Sequence, residues 1–203
     1  MSILIGVLAA GVSAVMALIL GICAATLGKK VDSAISFAID TVMGIPHILL
    51  LILISYAMGK GLKGVIAGVA LTHWTSLARL IRGEVMQLRE SEYIQIAGKL
   101  GLGKWEIAKK HIVPHVLPQF IVGLVLLFPH AILHESSITF LGFGLSTEQP
   151  AIGVILSESM RYLIMGKWWL AVFPGMMLVL TVVLFEKGGT ALRQLLDPGS
   201  VHK

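Results

Sequence analysis

The sequence holds a single cysteine, Cys23, among 203 residues. An internal disulfide and a cysteine-based zinc site are both excluded. Charge is scarce as well. Asp, Glu, Lys and Arg make up 13% of the chain, against roughly 25% in soluble domains. A soluble globular enzyme does not fit that deficit, and neither does disorder, which needs low hydrophobicity and high net charge. No basic stretch precedes the first apolar run, so a cleaved signal peptide is not expected. No repeat with a period of about 20–50 residues is present, and no appended soluble domain is expected. What the chain does have is apolar surface: 56% of its residues are hydrophobic, and mean hydropathy is +0.89. We read it as an all-α integral membrane protein forming one transmembrane domain, residues 1–203. The pI near 9.5 fits basic loops on the cytoplasmic side of a membrane better than nucleic-acid binding. The 22 glycines suit membrane helices that pack closely.

About 20 apolar residues at ~1.5 Å each cross a ~30 Å hydrocarbon layer. By that measure the sequence predicts about five spans: 3–27, 35–58, 65–82, 116–138 and 168–186. The second contains Asp40 and a kink candidate, Pro46, and the fourth is interrupted at Pro118 and Pro129. Residues 142–167 are mixed, and 83–113 are polar and charged. Twelve Lys and Arg residues fall on one side of such a chain: Lys29, Lys30, Arg79, Arg82, Arg89, Lys99, Lys104, Lys109, Lys110, Lys187, Arg193 and Lys203. Four fall on the other: Lys60, Lys63, Arg161 and Lys167. The excess puts the 83–113 segment and the C-terminus in the cytoplasm and the N-terminus outside.

The cytoplasmic segment is the most informative stretch. Tyr93, Ala97 and Leu100, with Ile96 beside them, recur at helical spacing, and so do Trp105, Ala108 and Ile112. That pattern predicts two short amphipathic helices. Gly101 and Gly103 between them permit a sharp turn. Two readings fit: helices resting on the membrane surface, or a helix that docks in a groove of a partner. Gly98 to Lys104 also matches the spacing of a phosphate-binding loop. The Ser or Thr that would hold magnesium is replaced by Trp105, and no buried strand precedes the match. No ATPase is expected in this chain.

Tyr93-Ile-Gln95-Ile96-Ala97-Gly-Lys-Leu100-Gly101, followed by Ile112-Val-Pro114-His-Val-Leu117-Pro118, resembles the EAA loop of ABC importer permeases. Leu80-Ile-Arg82-Gly83-Glu84-Val, Ser137-Ile-Thr-Phe140-Leu141-Gly142-Phe-Gly144, Trp169-Leu-Ala-Val-Phe173-Pro174-Gly175, and Leu192-Arg193 with Asp197-Pro198 extend the likeness. They resemble the C-type permease subunit of the nickel/dipeptide/oligopeptide branch, in order, over nearly the whole chain. The resemblance implies a type I ABC importer permease fold in the cytoplasmic (inner) membrane. It implies a second permease subunit, two cytoplasmic ATPase subunits that use ATP and magnesium, and an extracytoplasmic binding protein that delivers nickel, a metal chelate or short peptides. The chain itself would bind no cofactor and catalyse no reaction. Tyr93, Ile96, Ala97 and Leu100 would form the face that docks on the ATPase, Gly101 would bend the loop, and Pro118 would start the next span. Two departures stand out. Gln95 occupies the glutamate position and Ile96 the first alanine, so length and hydrogen bonding persist without the charge of a salt bridge. The likeness also begins at the family's second span of six.

Ionisable residues within spans are functional candidates by default. Asp40 faces a partner subunit or caps the helix broken near Pro46. His73, beside Trp74, reads as a buried histidine with a hydrogen-bond partner. His130 and His134 are one turn apart on one helix face. Either they hold a transition metal transiently between them, or His130 caps backbone after Pro129 and no metal is involved. Glu135 lies about 100° round from His134. Together Asp40, His130, His134 and Glu135 are the candidates for a substrate pathway. A zinc protease is excluded, because His134-Glu135-Ser-Ser ends on Ile138 rather than histidine. The rival class is a stand-alone secondary transporter or channel. Such proteins carry internal repeats, which this sequence lacks, and have no use for a long amphipathic cytoplasmic segment.

Overall fold

The structure is a computed structural model and describes residues 1–196. Asp197, Pro198 and Lys203 lie outside the described residues. Among the described residues nine α-helices follow in order: α1 (Ser2–Thr26), α2 (Lys29–Gly44), α3 (His47–Ala57), α4 (Gly61–Arg89), α5 (Glu92–Lys99), α6 (Lys104–Ile107), α7 (Val113–Phe140), α8 (Ile152–Leu163) and α9 (Trp169–Leu196). Residues Ala108–Ile112 form a π-helical turn joining α6 to α7. Among the described residues four helices are long and apolar enough to cross a membrane: Ser2–Thr26, Gly61–Arg89, Trp105–Phe140 and Trp169–Leu196. A fifth span exists if α2 and α3 are counted as one.

The stretch expected as a single span over 35–58 is two helices bent by 100°. Pro46 marks the break. Its ring disfavours helical geometry at the preceding residue, and here Ile45 is extended at φ −92° and ψ 137°. The chain restarts at His47, the first residue of α3. The polar segment also differs from its expected form. α4 runs on to Arg89, and the helix carrying Trp105 continues into α7. Polar side chains end the apolar stripe but not the backbone ladder, so the helices outrun the hydrophobic stretches. Pro118, expected at the start of a span, is inside α7, as is Pro129. Pro114 has no N–H to donate. The π turn just before it takes up the mismatch, with the Val113 N–H reaching the Ala108 carbonyl.

The interior is built around α1 and α4. Ala10, Ser13, Ala14, Ala17, Gly21, Ala24 and Ala25 are buried along α1, a stripe of small side chains that lets two backbones approach closely. The Ser13 hydroxyl donates to the Ala70 carbonyl at 3.0 Å. A Cβ at Gly21 would lie 2.8 Å from the Ala78 carbonyl oxygen, so only glycine fits there. The Arg89 guanidinium donates to the Ala25 carbonyl at the end of α1. Buried apolar side chains form two clusters. One joins Ala17, Ile39, Trp74, Ile81, Val85 and Val116, and the other joins Ile5, Leu51, Val65, Val69, Ala131 and Ile138. On α4 the changeover falls between Val69 and Trp74, where Thr72 and His73 sit.

Candidate functional site

Two places are set out in turn. The first is α5. Its inner face buries Ile94 and Ala97, with Ile94 packed among Ile112, Val116 and Ile107. Tyr93 (48% exposed), Ile96 (53%) and Leu100 (78%) point away from the bundle. Ala97 thus belongs to the inner face rather than to the outward set. The Tyr93 ring meets His111 edge-on, 6.0 Å between centroids, which fixes α5 against the helix leading to α7. Gln95 donates from Nε2 to the Glu90 carbonyl at 3.0 Å. The helix ends in a Schellman turn. The Leu102 N–H bonds the Ala97 carbonyl at 3.2 Å and the Gly101 N–H bonds the Gly98 carbonyl at 3.1 Å. Gly101 adopts φ +91°, where a side chain is strained. Among the described residues nothing lies within 4 Å of a Cβ placed there. Trp105, 81% exposed, follows just beyond the turn.

The second place is a cavity of about 780 Å³ bounded by the α2–α3 break, α4 and α7. Apolar side chains such as Met43, Leu77, Leu80 and Leu127 line most of it. The polar exceptions include His47, His73, His130 and His134. Three of these converge. Ring centroids are 4.7 Å apart for His47 and His73, 4.5 Å for His47 and His134, and 4.9 Å for His73 and His134. His130 lines the same cavity one turn from His134, but its side chain is exposed and outside the trio. The rings that meet are therefore His47, His73 and His134, drawn from three helices rather than one. His73 is buried and has a hydrogen-bond partner, the Val69 carbonyl at 3.0 Å from Nδ1. Sequence reading passed over His47. Its signal was its place directly after the Ile45-Pro46 break, where a helix restarts and its first side chain turns inward.

The remaining candidates lie elsewhere. Asp40 receives a 2.6 Å ion pair from Arg79. Asp32, two turns earlier, takes Arg82 in a two-pronged pair, with Nη2 to Oδ2 at 2.7 Å. These pairs tie α2 to α4. The spacing of Asp32 and Asp40 along α2 against Arg79 and Arg82 on α4 would have announced them. Glu135 is fully buried and away from the cavity. It accepts from Thr139 Oγ1 at 3.0 Å and from Ser136 Oγ at 3.3 Å. Thr139 in turn accepts the Leu145 N–H at 3.2 Å. The carboxyl thus anchors the turn after α7.

Comparison with known proteins places this architecture. The methionine ABC transporter MetNI, in inward-facing crystal forms, superposes with a TM-score of 0.77 over 97% of this chain and 93% of the other, at 16% identity. The fold is that of a type I ABC importer permease. Residues 17–200 match the family described as binding-protein-dependent transport system inner membrane component. The chain belongs to that family and is a multi-pass inner-membrane protein. Its relatives are transport permeases. The dipeptide transport system permease protein DppC of Bacillus subtilis is 32% identical over 97% of this chain and 62% of its own length. The oligopeptide permease OppC of the same organism is 32% identical over 97% of this chain and 64% of its own. The probable D,D-dipeptide permease DdpC of Escherichia coli is 29% identical over 97% and 66%. The chain spans slightly less than two thirds of the length of these relatives.

Proposed function

We propose that this chain is the membrane-spanning permease subunit of an ATP-driven importer that receives its cargo from an external binding protein. The observation that carries the reading is α5. It is a short helix whose outward side chains, Tyr93, Ile96 and Leu100, are apolar and uncovered, held at a fixed exit angle by the Gly101 turn. An exposed apolar helix face of this kind fits a groove, and the groove belongs to a cytoplasmic ATPase. Two such ATPases, using ATP and magnesium, pair with this chain and a second permease subunit. Their closure moves α5 and, through the π turn, α7, which walls the cavity. The basic 83–113 segment lies in the cytoplasm with the ATPases. Gln95, bound to its own helix start, takes no part in an ion pair there.

Short peptides are the cargo class, on the likeness to dipeptide and oligopeptide permeases. A second reading, nickel or a metal chelate, is favoured by one observation, the three histidines on the cavity wall.

The test is Gly101→Leu in the chain co-expressed with its ATPases, second permease and binding protein. A Cβ at Gly101 meets no neighbour, so the bundle stays folded while the turn is strained. Assembly is expected to survive. ATP hydrolysis stimulated by the binding protein is expected to fall more than tenfold, over about 1.4 kcal/mol in transition-state terms. Unchanged stimulated hydrolysis removes the coupling role of α5. Cargo uptake that needs no ATPase subunit would instead mark a stand-alone transporter.

A further inference from the structure

We infer that His47, His73 and His134 form a binding site for one divalent transition-metal ion of the nickel, cobalt, copper and zinc group. The site opens on the cavity between α3, α4 and α7. This rests on the permease reading only in supposing that the cavity serves transport. The chemistry of the site stands on its own geometry.

Three facts support it. First, the residues come from three separate helices and meet ring to ring, with one ligand nitrogen from each lying within 4.8 Å of the others. No local sequence pattern forces that meeting. Second, two of the ring nitrogens, on His47 and His73, lack partners among the described residues. The Val69 carbonyl can only accept, so the His73 ring proton sits on Nδ1. The proton of the Thr72 hydroxyl beside it goes to the Gly68 carbonyl at 2.9 Å. His73 Nε2 therefore carries a bare lone pair. It is buried and has no hydrogen-bond partner among the described residues, and the same holds for His47 Nε2. Buried polar atoms are nearly always paired, so two unpaired imidazole nitrogens side by side mark a place for a guest. Third, His73 is already oriented as a metal ligand is. A metal-bound imidazole typically donates its other N–H to a carbonyl or carboxylate, which fixes ring and tautomer.

The donor set selects the ion. Three neutral nitrogens with no carboxylate suit borderline ions and disfavour magnesium, calcium and manganese. Glu135 is committed to Ser136 and Thr139 and supplies no charge here. Imidazoles on one ion at 2.0–2.1 Å stand about 3 Å apart, so the rings close by somewhat more than an ångström on binding. His47, at the free start of α3, has the least to hold it in place. Three protein ligands leave coordination positions facing the cavity. Those positions allow an ion to leave again, which a pore requires. They also allow a peptide that chelates the ion through its amine and amide nitrogens to share it.

The experiment uses the purified full chain in lipid nanodiscs with a histidine-free affinity tag. Radioactive nickel chloride is measured by equilibrium dialysis, alone and with excess glycylglycine. One nickel per chain is expected. The triple variant His47→Ala/His73→Ala/His134→Ala is expected to lose it, and each single variant to weaken it at least tenfold. His130→Ala should weaken it less than threefold and Glu135→Gln should leave it unchanged. Copper bound to the wild type should show splitting from three nitrogens by electron paramagnetic resonance. Binding of nickel chloride alone assigns the site to the bare ion. Binding only with the dipeptide assigns it to the chelate. Nickel binding that survives the triple variant, or no binding in either arm, overturns the site. If the triple variant does not accumulate, His47→Ala, at the cavity edge, decides by the same dialysis. A wild-type chain that binds no nickel in either arm yet supports ATP-driven peptide uptake would refute only this inference. Nickel retained by a chain that never couples to ATP would refute only the permease reading.

Discussion

The helices α1 and α9 are both long and apolar enough to cross a membrane, and among the described residues they live in different surroundings. α1 buries eleven residues, nearly all small. α9 buries Gly189 alone among its described residues and turns Phe173, Met176, Met177, Val179, Leu180 and Leu184 outward. Lipid tails are as apolar as leucine, so hydrophobicity alone cannot draw one helix onto another inside a membrane. Shape decides. Small residues let α1 lie against α4 at backbone distance, whereas the large side chains of α9 keep it at the rim. The centre of the bundle is set by what is missing from its side chains, and the rim by what lipid or a second subunit can cover.

The sharpest way to break this contrast is to add one methyl group at two glycines of α1. At Gly21 the new Cβ would sit 2.8 Å from the Ala78 carbonyl oxygen and 3.0 Å from the Ile81 Cβ. Neither atom is the free end of a flexible chain, so the helices must part. Gly21→Ala is expected to cost about 2–3 kcal/mol. At Gly11 nothing described lies within 4 Å, and Gly11→Ala should be neutral or stabilise by up to ~1 kcal/mol through helix propensity. Thermal unfolding of the two variants in nanodiscs checks this. Equal melting temperatures would mean the seam is not closely packed.

Much of this was legible in the residues, for local reasons. The exclusion of cysteine chemistry, the apolar runs, the break at Pro46 and the turn at Gly101 all follow from neighbours in sequence. The outward set of α5 was nearly so. Tyr93, Ala97 and Leu100 share a stripe, but a stripe does not say which edge faces the bundle, and Ile94 drew Ala97 inward. The π turn was hidden, because Pro114 announces a disturbance without naming its register. The histidine trio was out of reach. His47, His73 and His134 are joined only by the packing of three helices, and the pairing of His130 with His134 was the best that spacing alone could offer.

A smaller effect separates the two ion pairs that tie α2 to α4. Asp32 and Arg82 are about three-quarters shielded at their side chains, 25% and 27% exposed, while Asp40 and Arg79 are 68% and 51% exposed. Asp32 is also held by both prongs of its arginine. Shielded, two-pronged pairs resist solvent screening, and exposed single contacts do not. Asp32→Asn is expected to cost about 1–2 kcal/mol and Asp40→Asn at most ~0.5 kcal/mol. The ranking should persist in high salt, where the exposed pair weakens further. A larger loss from Asp40→Asn would place that carboxylate in contact with something beyond this chain.

The smallest effect belongs to α9, and it completes the contrast with the α1 seam. Leu180 is half exposed, and truncating it removes methyl groups whose neighbours are lipid tails before and after the change. With no cavity formed in the protein and no water entering, Leu180→Ala should shift the stability of the isolated chain by less than about 0.5 kcal/mol. That is far below the ~2–5 kcal/mol typical of a buried leucine. The same variant measured in the assembled transporter asks what covers the rim. Lipid predicts an unchanged yield of complex, because one apolar solvent replaces another. A second permease subunit packed on α9 predicts that the yield falls while the isolated chain melts as before. A marked loss in the isolated chain would contradict the outward placement of Leu180 and, with it, the division of the bundle into a shape-matched centre and a lipid-tolerant rim.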